Sequence, residues 1–580
     1  MKKLLQILAL GLAINATAQS PTFEWARTMG DPESIARSIT VDNAGNVYTA
    51  GTFVNTGDFD SSANTFNLTA NGVNDFYITK YSAAGNFIWA KNFGAAQSAN
   101  TANNDDQFIN IVLDTQGNIV CTGTFLGIGD FDSSAGTATL SSATFQSSYV
   151  PGNFILKLNG DGNFIWAKKI TAYLHCTGDS IFVDNNNEIY LIGNYYRTAD
   201  LDPGPGVFNV ASSGNMNIYI VKLTANGEFI WGQSLNNNNG EQEQKRITVD
   251  ANKNVYLCGT FRNTLDLDPG AAVFNVTSNG AKDVFFIKLN NLGNFQWGKS
   301  IGGQDNENVN DISVDNAGNF FAVGVFAFIV DFDPGAAVFP INASAILTNY
   351  LLKLDTNGNF NWAIKLGNSV RVPNVVNDAQ GNVFVSSGFS SLFGPLDVDP
   401  GPNVFNLTTS PDSDMYFFKL NTNSNFIWAF NYGDGLARAS MDLLIDSNNN
   451  MYYCGLFEQG GSQDPIDLNP FAGVNAFSAL TPSYMVKLAQ PGTLNTENFN
   501  ELNKVVTYPN PTSSQINLSF NENLENATLK ITSMLGQTVL EKQNQSGNNL
   551  SFDVSNLAKG IYFVSVNNGG LLSNSKFIKE

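Results

Sequence analysis

Histidine is almost missing from this chain: His175 is the single copy in 580 residues. A Ser-His-Asp or Cys-His triad would have to use it, and no GxSxG elbow accompanies it. Hydrolysis of that kind is therefore not expected, and His175, in a Cys-Thr-Gly setting, reads as an exposed loop residue. Cysteine is scarce too, with four copies and no CxxC spacing, which argues against zinc or iron–sulfur chemistry. Cys258 and Cys454 hold the same place in units three apart and should not meet. Cys121 and Cys176 leave a disulfide open, against the preferred reading of all four as small buried apolar residues. Basic residues number 30 against 50 acidic ones, for a net charge of -20 and a pI near 4.4. No basic stripe exists to hold nucleic acid or an anionic bilayer. Long apolar runs are also lacking: the one from Leu4 to Ile14 is too short to span a membrane, and no other approaches about 20 residues. With Lys2 and Lys3 before it and Ala16-Thr17-Ala18 after it, that run reads as a signal peptide over residues 1–18. The mature protein is accordingly expected to be exported, with no transmembrane segment.

What the chain does hold is strand and turn material. It has 44 Phe and 52 Gly, with charged residues at only 14%, so apolar strands joined by Gly and Asn turns are expected and helix is not. Its length exceeds one ordinary core, which leaves several domains or a repeat. The tryptophans decide for a repeat: Trp25, Trp89, Trp166, Trp231, Trp297, Trp362 and Trp428 stand 64, 77, 65, 66, 65 and 66 residues apart. Lys80, Lys157, Lys222, Lys288, Lys353, Lys419 and Lys487 keep step, as do Gly51, Gly123, Gly193, Gly259, Gly324, Gly388 and Gly455. In the first unit, residues 38–42 alternate, 43–46 turn and 47–53 return; residues 75–81, 83–86 and 87–93 repeat that pattern. Four strands per unit and seven units predict an all-β fold, a seven-bladed β-propeller over residues 19–489. The last unit lacks its Trp strand, while residues 22–27 are a Trp strand without a blade. The two ends are therefore expected to complete blade seven together, leaving no open edge.

By this topology the long connections share one rim, where binding is expected. They carry acidic pairs: Asp58 and Asp60, Asp130 and Asp132, Asp200 and Asp202, Asp266 and Asp268, Asp331 and Asp333, Asp397 and Asp399, then Asp467 with Asn469. Carboxylates two apart make these calcium candidates, and calcium is the one cofactor considered. Asp before Pro-Gly, as in Asp268-Pro269-Gly270, is ordinary turn chemistry, which is the preferred reading. The recurring Lys is expected to pair with one of these Asp groups or with the Asp of the VD stretch that precedes each short turn, and is not expected to be catalytic.

The units resemble the SBBP family of bacterial β-propeller repeats, through VD-x-x-GN-x-Y-x-x-G at residues 41–51 and 314–324 (with Phe at the aromatic place in the second) and VFFIKL at 284–289. The resemblance implies a propeller and no particular chemistry. A polar linker at 490–503 leads into a tail at 504–580 that alternates like the strands of a small Ig-like β-sandwich. Tyr508-Pro509-Asn510-Pro511, Leu535-Gly536-Gln537, Leu557 with Gly560-Ile561-Tyr562, and Lys576-Phe577-Ile578-Lys579 closely resemble the type A C-terminal sorting domain of the Bacteroidetes type IX secretion system. That resemblance implies a tail that engages the secretion machinery, directs passage across the outer membrane and is then removed. The passenger would be secreted or attached to the outer-membrane surface.

A non-enzymatic binding or adhesion module for an extracellular glycan or protein is therefore expected. The alternative is a rim-located glycoside hydrolase or other polysaccharide-active enzyme. The Asp-box of sialidase-like propellers puts Gly three residues before Trp; here the gap is four, as in Gly85 to Trp89 and Gly293 to Trp297. Exposed aromatics on the long-loop rim would mark a glycan reader. Tyr195, Tyr196 and Phe261 are the candidates, although burial between blades is expected for each.

Overall fold

The computed structural model describes residues 20–30, 33–96, 109–134, 136–236, 242–343, 347–368, 373–390, 394–408, 413–432, 438–457, 466–471, 476–477, 483–490, 505–533, 537–568 and 571–580. The expected signal peptide at 1–18 and all but the first residue of the linker lie outside them. The chain divides into two units, Met1–Pro491 and Gly492–Glu580.

The larger unit is built from antiparallel sheets: among the described residues four have four strands, one has six and one has nine, the larger two extended or joined through their loop hairpins. Blade 1 runs Ser34–Val41, Val47–Asp58, Asn67–Tyr81 and Phe87–Ala96, from innermost to outermost strand. The innermost strands of blades 2 to 7 are Ile109–Leu113, Ser180–Val183, Gln242–Val249, Asn308–Val314, Asn374–Asn377 and Arg438–Ile445. Each packs against the next, and Arg438–Ile445 returns to Ser34–Val41, so the sheets close a ring. The fold is a β-propeller. Blade 7 takes its outermost strand from the other end of the chain: Thr22–Met29 pairs with Ser483–Ala489, Trp25 opposite Lys487. The clasp foreseen from the two incomplete ends is the one formed.

The middle strands of each blade are covered on both faces by neighbouring blades, which is why they read as unbroken apolar runs. Val255–Phe261 and Asp283–Leu289 are buried at every position. Outer strands keep one wet face, as in Phe229–Leu235, where Ile230 is exposed while Gly232 and Leu235 are buried. The hydrophobic cores lie between blades; one joins Tyr256, Cys258 and Phe286 of blade 4 to Phe320, Ala322 and Leu352 of blade 5.

Two repeated residues acquire reasons here. The innermost strand carries a bulge, between Ala36 and Ser38 in blade 1 and between Val309 and Asp311 in blade 5. Opposite it stands the recurring Gly, where a Cβ would lie 1.9 Å from the Ile35 carbonyl at Gly51 and 1.9 Å from the Asn308 carbonyl at Gly324. The recurring Trp lies over the outer turn of the next blade. Trp25 covers Gly85, whose φ of 75° a side chain would resist, and its indole N–H donates to the Ala83 carbonyl at 3.0 Å.

Each innermost strand turns one polar side chain toward the next, at the bulge in blades 1, 4, 5 and 7, giving a closed hydrogen-bonded circuit. The Asp442 carboxylate accepts from Ser38 Oγ (3.0 Å) and the Ile39 N–H (2.9 Å). Ser38 Oγ accepts from the Ile111 N–H, Asn110 from Ile181, Ser180 from Ile247, and Asp311 from Val375. Arg246 donates to Asp311 at 3.4 Å, and Asn374 donates to the Ser440 carbonyl at 3.1 Å. Burial opposes the charge of Arg246, but Asp311 and Asp442 outweigh it and hold its pKa above the ordinary value. Burial pushes Asp311 up to about 6 despite Arg246.

The C-terminal unit is one antiparallel sheet of Val506–Tyr508, Gln515–Ser533, Thr538–Asp553, Gly560–Asn568 and Leu571–Lys579. Its long second strand breaks register between Ser519 and Ala527 and pairs with three others, so the sheet curls round one core that includes Ile516, Leu529, Phe552, Val564 and Phe577. Among the described residues the expected sandwich takes the form of one sheet folded on itself.

Candidate functional site

The acidic pairs build their own loops. Asp58 Oδ1 accepts the N–H groups of Asp60 (3.0 Å) and Phe66 (2.8 Å), two and eight residues on. Asp130, Asp200, Asp266, Asp331 and Asp397 do the same. The second acid caps a tighter turn: Asp60 accepts from Ser62, Asp132 from Ser134, and Asp202, Asp268, Asp333 and Asp399 from a Gly. Asp467 accepts from the Asn469 N–H, and Asn469 from Phe471. The loops also dock on the preceding blade, where Gly94 pairs with Asp130 and Thr171 with Asp200. Among the described residues, no group of three or more His, Cys, Asp or Glu is placed to hold a metal. The pairs do wall clefts between blades. One of about 440 Å³ is bounded by Ser234, Asn236, Asn263, Asp266 and Asp268, and one of about 710 Å³ by Phe66, Asn92, Ile128, Asp130 and Asp132.

The recurring Lys belongs to the opposite, short-turn rim; in blades 2 and 6 it takes the aspartate before the short turn, whereas Lys222 pairs with Glu188 and Lys487 with Glu24. Lys157 meets Asp114 at 2.8 Å and Lys419 meets Asp378 at 3.0 Å. Elsewhere it crosses to the next blade: Lys80 donates to the Gly160 carbonyl and Lys353 to the Thr422 carbonyl, both at 2.8 Å. The ammonium of Lys222 also lies 4.9 Å from the Tyr190 ring centre. Burial opposes ionisation of Asp114, but the bonds from Lys157 and Asn118 win and lower its pKa. Lys157 and Lys419 are buried, so theirs are not the solvent-exposed pairs that contribute little. All four cysteines are free and buried. Burial pushes Cys176 and Cys258 up to about 12, which leaves them inert as nucleophiles.

Repetition therefore accounts for the acids, the lysines and the tryptophans as architecture. The place where the repeat is broken differs. The long 77-residue Trp spacing belongs to blade 2, and there a small hairpin, Thr144–Phe145 with Ser148–Tyr149, stands on the long-loop rim. The N–H of Val150 donates to Ala143 and that of Cys176 to Pro151, both at 2.9 Å, which ties the hairpin to blade 3. Phe145 packs edge-on against Tyr173, with ring centres 5.7 Å apart. Tyr173 follows the outer strand Phe164–Ala172 and is 51% exposed. The guanidinium of Arg197 lies over it at 5.6 Å and over Tyr196 at 6.0 Å. His175 sits in a two-residue strand opposite Tyr196 and is half-buried, a correction to the exposed loop expected for it. Of the three aromatic candidates, Tyr195 and Phe261 are fully buried and Tyr196 is half-buried.

In the C-terminal unit the two ends of the expected motif meet. Asn510 donates to the Lys576 carbonyl (3.0 Å) and accepts from the Ile578 N–H (2.9 Å). Pro509 and Pro511 both follow cis peptide bonds, and Tyr508 is exposed. Tyr562 is buried, stacks on Phe577 at 5.5 Å and donates to the Ala558 carbonyl, just before Gly560. Lys576, Ile561, Phe563 and Ile578 are exposed. Gly536 lies outside the described residues.

Residues 506–580 match the secretion system C-terminal sorting domain. The sorting domain makes this a protein exported by type IX secretion, to the medium or the cell surface. Among the described residues no helix is long and apolar enough to cross a membrane. The chain is also 22% identical over 456 residues to the Uncharacterized WD repeat-containing protein L264 of Acanthamoeba polyphaga mimivirus, covering 68% of this chain and 32% of that one. It thus spans about a third of that relative's length. A solved structure, the extracellular domain of BT4673 from B. thetaiotaomicron, aligns over 97% of this chain and 99% of its own at 10% identity, with a TM-score of 0.14.

Proposed function

We propose that the propeller is a non-enzymatic binding module that recognises an extracellular partner, and that its SBBP-like repeats, cleared of an N-terminal signal peptide during export, serve as the scaffold. The observation that carries this reading is the Tyr173–Arg197–Tyr196 cluster. Tyrosine and arginine are the side chains that most often anchor an interface, because they combine large stackable area with directed hydrogen bonds. Here Tyr173 and Arg197 are exposed and Tyr196 is half-buried, beside the hairpin inserted in blade 2, on the rim expected to bind. The sorting domain supports the cellular setting, since it exports whatever precedes it. A glycan and extracellular-matrix array probed with the mature protein tests the proposal, with release of reducing ends from the same glycans measured in parallel. Binding without turnover, lost on Tyr173→Ala, is the expected result. Turnover of a polysaccharide would replace this reading with the glycosidase.

A further inference from the structure

We infer that Tyr173, Tyr196 and Arg197 form a receptor for the carboxylate-bearing sugars of an acidic polysaccharide; this deepens, and rests on, the binding role proposed above. The guanidinium is the starting point. Arg197 is exposed, and among the described residues no carboxylate lies within ion-pair distance of it, although acids outnumber bases 50 to 30 in the chain. Two tyrosine rings flank it, their centres 5.6 and 6.0 Å from its central carbon. Its fork of N–H edges matches a carboxylate in bidentate fashion.

The backbone indicates that this side chain is retained at a cost. Arg197 has φ 69°, in the left-handed region. Its N–H donates to Ser212 Oγ at 2.9 Å, and the same bond identifies the equivalent residues of other blades: Gly127 to Ser142 Oγ and Asn263 to Ser278 Oγ, both 3.0 Å. Glycine and asparagine are the residues that tolerate such a φ, and a long side chain is disfavoured there. Blade 5 places Phe328 at the same point with φ 57°, so the position admits a large side chain, although Asn or Gly would suit its backbone better than Arg.

The surroundings suit a sugar. A pyranose offers an apolar C–H face ringed by hydroxyls, and the exposed face of Tyr173 is a flat partner for it with a negative π surface. Phe145 and the anchored hairpin brace that ring, so little order is lost on binding. A uronate adds one carboxylate at the edge of the ring, where the guanidinium lies. The overall charge of -20 repels a polyanion, so any binding at physiological salt must come from a local site and not from the general field.

The test titrates mature protein with sodium alginate, with carboxyl-reduced alginate and with neutral dextran, for wild type and for Arg197→Asn and Tyr173→Ala. Alginate alone should bind. Arg197→Asn should weaken it about tenfold while the melting temperature stays level or rises, because Asn suits the backbone; a merely structural arginine would not combine those two results. Tyr173→Ala should weaken alginate binding as well. No alginate binding, or alginate binding unchanged in correctly folded Arg197→Asn, overturns the receptor. If a neutral glycan or a protein then binds in a Tyr173-dependent way, the acidic-sugar assignment falls and the binding role stands. If no partner on the array depends on Tyr173, both fall.

Discussion

The seam where the ring closes gives the sharpest test of how the propeller is held. Trp25 is 5% exposed, sits on Gly85 of blade 1 and donates its indole N–H to Ala83. An indole buried to that extent removes roughly 150 to 250 Å² from water, or about 4–6 kcal/mol at about 25 cal/mol per Å². Measured losses for buried aromatic to alanine changes run to about 3–5 kcal/mol. Trp231 makes the same contact, with its N–H on the Asn291 carbonyl at 3.0 Å, but its blade is one continuous stretch of chain. The strand of Trp25 is attached to blade 7 only by pairing with Ser483–Ala489. Trp25→Ala should therefore open the seam locally, whereas Trp231→Ala should lower overall stability with the ring still closed. Hydrogen exchange separates them: Tyr484 to Leu488 should lose about 100-fold or more of their protection in the first variant and keep most of it in the second. If Trp25→Ala leaves that strand as protected as in wild type, the indole is not what holds the clasp.

Deleting residues 504–580 should strand the propeller in the periplasm, and intact mass of surface material should show the sorting domain gone. Chelator should leave the melting temperature nearly unchanged, because the acidic pairs are engaged with backbone N–H groups; a tight structural ion would instead contribute about 2.7 kcal/mol at a hundredfold excess over its dissociation constant. Stability should rise as pH falls from about 8 to about 5. Burial pushes Glu307 up to about 8 and Asp283 to about 6, with Asp311 also near 6, so the fold favours their neutral forms and that contribution is lost as pH climbs through these values. Glu188, whose two lysine partners outweigh its burial and hold it at about 2, stays ionised throughout and adds no slope. A denaturation series in which Glu307→Gln leaves the slope unchanged would contradict this. Gly85→Ala should destabilise the seam, since its Cβ would meet the Trp25 ring at 2.7 Å and its φ is 75°.

Recurrence made the architecture readable from sequence. Trp, Lys and Gly at a fixed period each turned out to be a contact between blades or across a bulge, and the Trp strand at 22–27 announced the clasp. The inner circuit was hidden because its members differ in kind: Ser38, Asn110, Ser180, Arg246, Asp311, Asn374 and Asp442 share a position and a role as hydrogen-bonding groups, but no residue type. Arg197 was hidden for a different reason. Its significance lies in a backbone angle and in two tyrosines, one of them 24 residues away in sequence, and neither leaves a periodic trace. The irregular 77-residue spacing was the visible signal, and it marked the blade that carries the hairpin.

The clasp also bears on the order of events in export. Thr22–Met29 is among the first strands made, and its partner Ser483–Ala489 is the last of the propeller. Joining ends so far apart is entropically affordable only once the intervening blades have shortened the path between them. The sorting domain begins at residue 506, 17 residues after that strand ends at Ala489. A chain cut short anywhere before Ser483 therefore lacks both the strand that seals the ring and the signal that gets it across the outer membrane. In a truncated chain the seal and the sorting domain are thus lost together, and a propeller cut too short to cover its edge strands, which invite aggregation, also lacks residues 506–580.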